Sequence, residues 1–194
     1  MSEKLFVHAD LGDNNKVLAG QLLLDETKGR FKYAKAYVEN AKAFALEPIT
    51  LPLNGEIHEN QRTREPPGVF GVLIDAGPDE WGRRQLTKTR VPPPVTNIEF
   101  LLAASGEGVG ALHFTAEIND EPKPTPPRSF ENLVHLQQIA GDIEAGREVD
   151  RSLEPYFFHG SGLGGARPKT LIDHEGRGWI AKFNRDIDLV DMCK

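Results

Sequence analysis

The residues best placed to do chemistry lie between Tyr156 and Phe183. Gly160, Gly162, Gly164 and Gly165 crowd a short run that continues into Ala166-Arg167-Pro168-Lys169-Thr170, and a second lysine, Lys182, follows downstream. Glycine has no Cβ to hold a ligand off, so consecutive backbone amides can close around phosphate oxygens. The two lysines could neutralise the phosphate charge. Three nucleotide motifs compete for this stretch. Walker A needs Gly immediately before its Lys-Thr, and here Pro168 stands there without the amide that would face phosphate. The spacing Gly-x-Gly-x-x-Gly occurs at Gly160, Gly162 and Gly165, but a dinucleotide-binding unit requires a helix directly afterwards. Pro168, then Thr170-Leu171-Ile172, a polar turn over 173–178 and Trp179-Ile180-Ala181-Lys182-Phe183 argue for a hairpin instead. A Gly-rich loop, a strand, a turn and a strand carrying lysine form the layout of a kinase N-lobe, where the loop covers ATP phosphates. A tight structural loop with surface lysines has the same spacing, and spacing alone leaves the two readings open.

The elements that must hold this stretch can be read along the chain. Leu5–Leu11 and Val17–Leu24 flank the turn cluster Gly12-Asp13-Asn14-Asn15 and predict a hairpin, with Phe31-Lys32-Tyr33 as a third strand. Tyr37, Val38, Ala41 and Phe44 predict a helix over 35–45. Ile49–Leu53 reads as extended ahead of and around Pro52. Pro66-Pro67 opens a short helix over 68–74, and 79–87 reads as a basic helix carrying Trp81 and Leu86. Thr96 caps a helix to Ala104, closed by Gly106, and Gly110–Thr115 reads as a strand. Glu121-Pro122-Lys123-Pro124-Thr125-Pro126-Pro127 is stiff enough to be a linker. Beyond it Ser129 caps a helix from Phe130 to about Ala145, with Leu133, Leu136, Ile139, Ala140 and Ile143 along one face.

Composition narrows the class. The 194 residues carry 23 Lys+Arg against 29 Asp+Glu, a net charge of −6, with 39% hydrophobic residues. That describes a globular chain rather than one that grips nucleic acid with its whole surface. The single cysteine, Cys193, excludes an internal disulfide and a Cys-based zinc site. No apolar run reaches the ~18–20 residues of a membrane span, and Met1-Ser2-Glu3-Lys4 leads directly into Leu5-Phe6-Val7 without a secretion signal. A cytoplasmic protein without membrane partners is expected. The chain stops at Asp191-Met192-Cys193-Lys194 without turn chemistry, as if a longer chain continued.

Ser161-Gly162-Leu163-Gly164-Gly165-Ala166-Arg167-Pro168-Lys169 resembles the signature loop of HipA-type kinases, the toxins of HipBA toxin–antitoxin modules. Support extends well outside the loop. The opening hairpin with Phe31-Lys32-Tyr33 and Leu51-Pro52-Leu53 is similar to the N-terminal subdomain of that family. Pro78-Asp79-Glu80-Trp81-Gly82-Arg83-Arg84 and Gly106-Glu107-Gly108-Val109-Gly110-Ala111-Leu112 keep the family order. The resemblance implies a serine/threonine protein kinase that uses ATP and Mg²⁺. Its phosphates would be held by Gly164, Gly165, Ala166, Arg167 and Lys169, with Lys182 as the strand lysine. The partner it implies is a helix-turn-helix antitoxin of HipB type, which would bring the protein to DNA only indirectly. In that family a loop serine is a site of inhibitory autophosphorylation. Ser161 is the one loop serine here, although counting back from Lys169 places the family position at Gly162.

The expected fold is α+β. Antiparallel strands and short helices form an N-terminal subdomain over 1–120, residues 121–128 form a Pro-rich linker, and 129–194 form an incomplete kinase N-lobe. The Asp and Asn residues of phosphoryl transfer belong to a C-lobe after the strand lysine. Asp186, Asp188 and Asp191 follow Lys182 too closely to serve, and they read as a solvated acidic turn. This chain alone is therefore expected to be inactive. The alternative is a naturally short, non-catalytic module that binds an antitoxin partner or nucleotide. Among the remaining features, His8, His58, His113, His135, His159 and His174 show no metal-binding spacing, and only His159 stands beside the loop. Arg83, Arg84, Lys88 and Arg90 read as a solvated basic helix side. Trp81 and Trp179 read as core or rim anchors.

Overall fold

The computed structural model describes residues 3–12, 15–25, 28–60, 68–105, 110–122, 129–150, 168–175 and 177–184. The chain divides into two compact units, one built from 1–77, 96–106 and 110–123, the other from 78–95, 107–109 and 124–194. The mixture of helices and antiparallel sheet is α+β, as the sequence implies.

The first unit is organised by five antiparallel strands, β1 (Glu3–Asp10), β2 (Lys16–Asp25), β3 (Lys28–Tyr33), β4 (Ile57–Asn60) and β5 (Leu112–Thr115), in the order β4-β3-β2-β1-β5. The predicted opening hairpin and third strand are present. β4 and β5 complete the sheet on either side, and β4 is short and polar enough to leave little mark in the sequence. Leu5, Val7 and Ala9 point from β1 into a core with Leu22, Phe31, Tyr33, Phe70, Leu73, Leu101 and Phe114. Phe6 and His8 occupy the opposite face and are also buried, which is why β1 is a near-continuous apolar run rather than an alternating one.

Helix α1 covers only Lys35–Val38, shorter than the predicted 35–45. Side-chain hydrogen bonds explain where it stops. Asn40 Oδ1 accepts from Lys42 N at 2.9 Å, an Asx turn that competes with helix. Tyr37 Oη donates to Phe44 O at 3.0 Å. Of the segment 49–53 expected to be extended, residues 49 and 50 instead lie in a turn that runs from Glu47 to Leu51: Leu51 N donates to Glu47 O, and Tyr33 Oη donates to Leu51 O at 2.6 Å. Two aromatic hydroxyls, not helical periodicity, shape this segment.

Helix α2 (Gly71–Asp75) follows Phe70 as its first flanking residue; Pro66 and Pro67 lie outside the described residues. Helix α4 (Asn97–Ala103) has the predicted cap in full: Thr96 Oγ1 accepts from Glu99 N, and Glu99 Oε2 accepts from Thr96 N at 2.9 Å. Gly29 and Gly68 meet backbone to backbone; a Cβ on Gly29 would fall 1.8 Å from Gly68 O, and Gly68 has φ +75°.

The second unit contains α3 (Glu80–Thr89), α5 (Leu133–Glu144) and a hairpin of β6 (Lys169–His174) and β7 (Arg177–Lys182). Ser129 caps a 3₁₀ turn over Phe130–Asn132, and the α-helix begins only at Leu133. Leu136, Ile139, Ala140 and Ile143 form its buried face, as the spacing predicts. It ends at Gly146, φ +68°, with Arg147 N bonded to Asp142 O and Gly146 N to Ile143 O, the pairing that satisfies the last carbonyls when glycine takes the left-handed conformation. Among the described residues, no helix is long and apolar enough to cross a membrane.

Candidate functional site

The hairpin is set by its sequence. Two apolar-rich segments flank a polar turn in which Glu175 takes φ +54°, and the strands pair antiparallel from His174↔Arg177 at the turn to Lys169↔Lys182 at the open end. The backbone closes that end with Phe183 N donating to Pro168 O at 2.9 Å. A hairpin stands where a dinucleotide-binding unit needs a helix, in keeping with the rejection of that motif.

One side of the hairpin is anchored in a small apolar core. Ile172 and Phe183 pack with Trp81 of α3 and with Leu136, Ile139, Ala140 and Ile143 of α5, and Ala181 packs against this cluster. The Arg84 guanidinium reaches Glu144 at 3.2 Å and lies 5.7 Å over the Trp81 ring, tying α3 to α5. The helix side read as solvated is therefore largely turned inward. Arg83, Arg84 and Arg90 are half-buried and only Lys88 is exposed, because Trp81, Gln85, Leu86 and Thr89 draw that helix into the core.

Lys169 and Lys182 stand directly opposite each other in the register, so their side chains leave the same face of the hairpin. Like charges at opposed positions repel, and this pair is asymmetric. Lys169 is 8% exposed, whereas Lys182 is exposed. Burial lowers the Lys169 pKa below the ordinary lysine value; the Asp79 charge acts against this and the Lys182 charge adds to it. Thr170, next in β6, is also buried. The open end of the hairpin is thus a place where two cations gather, one of them short of water.

Asp79 marks the beginning of α3. Its Oδ1 accepts from Gly82 N at 2.8 Å, and its Oδ2 is buried without a hydrogen-bond donor. The sequence signals the cap through an Asp directly ahead of the helix. It carries no sign that this carboxylate influences a lysine some ninety residues downstream.

Of the residues expected to contact nucleotide, Lys169 and Lys182 fall within the described structure and come together. Gly164, Gly165, Ala166 and Arg167 lie outside the described residues, as do Ser161, His159, Asp186, Asp188 and Asp191. Trp81 is a core residue and Trp179 is about half exposed. Among the described residues no three His, Cys, Asp or Glu side chains converge as metal ligands would. The first unit holds a cleft of about 440 Å³ beside Glu47, Glu59, Phe70 and Asp75. Two of its carboxylates are already engaged: Glu59 with Lys28 and Arg30, and Glu47 with the amides of Ile49 and Thr50.

A family model described as the HipA N-terminal domain matches residues 14–115. No curated protein and no solved structure matches the chain.

Proposed function

From the premise that the chain belongs to the HipA N-terminal domain family, whose model covers more than half of it, we propose that it is the N-terminal part of a HipA-like serine/threonine protein kinase. The observation that carries this reading lies outside the matched segment: Lys169 and Lys182 opposed across β6 and β7, with Lys169 buried. Two lysines on one face of a hairpin gather positive charge at its open end. A triphosphate suits such a place, since its charge is spread over several oxygens that separate lysines can share.

In this reading Lys169 and Lys182 would bind the phosphates, together with Gly164, Gly165, Ala166 and Arg167 as the family resemblance implies. Mg·ATP supplies the phosphoryl group, destined for a protein serine or threonine. The acidic residues that hold Mg²⁺ and orient the hydroxyl belong to a lobe outside these 194 residues, so this chain alone is inactive. Ser161 is the candidate for inhibitory autophosphorylation. The 14–115 domain serves a toxin–antitoxin pairing with a helix-turn-helix partner of HipB type, in the cytoplasm, with DNA reached only through that partner.

Titration of the chain with Mg·ATP, followed by amide chemical shifts, tests the phosphate site. Shifts centred on Lys169–Thr170 and Ala181–Lys182, saturating in the millimolar range and lost in Lys169→Met and Lys182→Met, are expected. Shifts unaffected by either substitution would refute it. Partner binding by residues 14–115 with no nucleotide response would favour the non-catalytic module.

A further inference from the structure

Away from the lysine hairpin, two buried imidazoles share one short pairing of the five-stranded sheet. β5 meets β1 at four register positions, whereas β1 and β2 meet at eight. Within those four, His8 faces His113 and Phe6 faces Thr115, on the side of the sheet turned away from the first core. The two rings are only 5% and 7% exposed. His8 Nε2 lies 2.9 Å from Thr115 Oγ1, which donates to Glu117 O at 3.0 Å. His113 Nδ1 is buried with no hydrogen-bond partner.

Neutral imidazoles fit this place and imidazolium rings do not. A second proton makes every ring nitrogen a donor, and at His113 Nδ1 no acceptor stands ready for it. It also puts two like charges at directly opposed positions. Burial lowers the proton affinity of both rings; at His113, Lys16 of β2 adds to the effect, Asp10 of β1 opposes it and His8 adds again. Glu117, beyond the end of β5, is taken up by Lys4 of β1 at 2.8 Å. Ordinary protonation therefore requires that the rings reach water, and the topology decides how. β5 is an edge strand, paired to β1 alone. Its other side is tied by the bond of Phe114 N to Ser105 Oγ at 2.8 Å, and Phe114 in the first core keeps it seated at neutral pH. Parting β5 from β1 breaks the contact of His8 with Thr115 and uncovers both rings, and the pairing of β1, β2 and β3 is left intact.

We infer that His8 and His113 are an acid-operated latch: in mild acid β5 leaves β1 while β1–β4 stay paired, releasing segment 110–123, the last stretch of the first unit before residue 124 resumes the second. The latch is a local opening rather than collapse of the sheet, and it is independent of the phosphate reading of Lys169 and Lys182.

Amide hydrogen exchange of the full 194-residue chain, resolved by residue between pH 7.5 and 5.5, tests the latch. Opening exposes two groups that protonate with the ordinary value of 6.5, so each adds at most about tenfold to the opening constant for one pH unit below it. Protection factors at Asp10, whose amide donates to Ala111 O, and along β5 are expected to fall about ten- to hundredfold. Those of β2 and β3 should hold within about threefold. In His8→Gln/His113→Gln the fall should disappear, and circular dichroism at pH 7.5 verifies that this variant keeps its sheet. Because the strands are compared within one wild-type sample, the test stands even where the variant fails to fold. An equal fall in all five strands, or none at β5, overturns the latch. So does a selective fall at β5 that persists in the folded double variant, since another group would then drive it.

Discussion

Acidification is expected to weaken the five-stranded sheet in a window that belongs to His8 and His113. The two residues face each other across β1 and β5, and both are buried. His8 Nε2 lies 2.9 Å from Thr115 Oγ1, whose own proton goes to the carbonyl of Glu117 at 3.0 Å. A carbonyl can only accept, so His8 is the donor to the threonine and carries its neutral-state proton on Nε2. His113 Nδ1 is buried with no partner, so a proton added there meets no acceptor. Burial lowers both pKa values from the ordinary 6.5; for His113, the charges of Lys16 and His8 push the same way, and Asp10 opposes them. The unfolded chain therefore binds more protons than the folded one at mildly acid pH. The stabilising contribution is complete above 6.5 and falls as pH drops through the lowered folded values. Each proton taken up on unfolding corresponds to about 1.4 kcal/mol per pH unit, so two histidines set a limit near 2.7 kcal/mol per pH unit. Glu47 and Glu59 have lowered pKa values as well, Glu47 from the hydrogen bonds of Thr50 and Ile49 and Glu59 from its bond to Lys28, but their losses begin below 4.5. Urea midpoints between pH 7.5 and 5 separate the two windows. Far-UV circular dichroism is the right probe, because Trp81 and Trp179 both sit in the second unit and tryptophan fluorescence would follow the wrong one. His8→Gln/His113→Gln should flatten the pH dependence. The same slope between pH 6.5 and 5 in the double variant would refute the reasoning.

Two further outcomes are expected. Trp81→Ala empties the centre of the α3–α5–hairpin core and should cost about 3–5 kcal/mol, seen as early loss of the second unit in thermal unfolding while the circular dichroism of the sheet persists; a loss below ~1 kcal/mol would mean that Trp81 is not central. Gly29→Ala forces a methyl against the Gly68 carbonyl and should destabilise the first unit by at least about 2 kcal/mol in urea unfolding, whereas Gly55→Ala, with open space around it, should be near neutral.

How much was legible in the sequence follows from which interactions are local. The β1–β2 hairpin, the Thr96–Glu99 cap, the apolar face of α5 and the β6–β7 hairpin all declare themselves within a few residues. So do the residue types at Lys169 and Lys182, and pairing a hairpin about its polar turn is enough to bring those two together. Segments governed by particular side-chain contacts, near or distant in the chain, were not legible. Helix α1 ends early because Tyr37 and Asn40 bond to residues that follow, and residues 47–51 turn because the Tyr33 hydroxyl holds Leu46 and Leu51. The packing of α3 through Trp81, and the bond of Arg84 to Glu144, sixty residues away, likewise depend on partners far along the chain.

The interleaving of the two units has a consequence for synthesis. Helix α3 emerges from the ribosome roughly ninety residues before Phe183, the last apolar residue of the core it joins. At ~5–20 residues per second, its indole waits about 5–20 s for that partner. Residues 96–106 and 110–123 of the first unit come later in the chain than α3, so the first unit is completed only after part of the second has been made. A nascent chain in this state has Trp81 without the partners that bury it. No single cut can separate the units either: a piece ending at 123 carries α3 without its core, and one beginning at 124 carries that core without its central tryptophan.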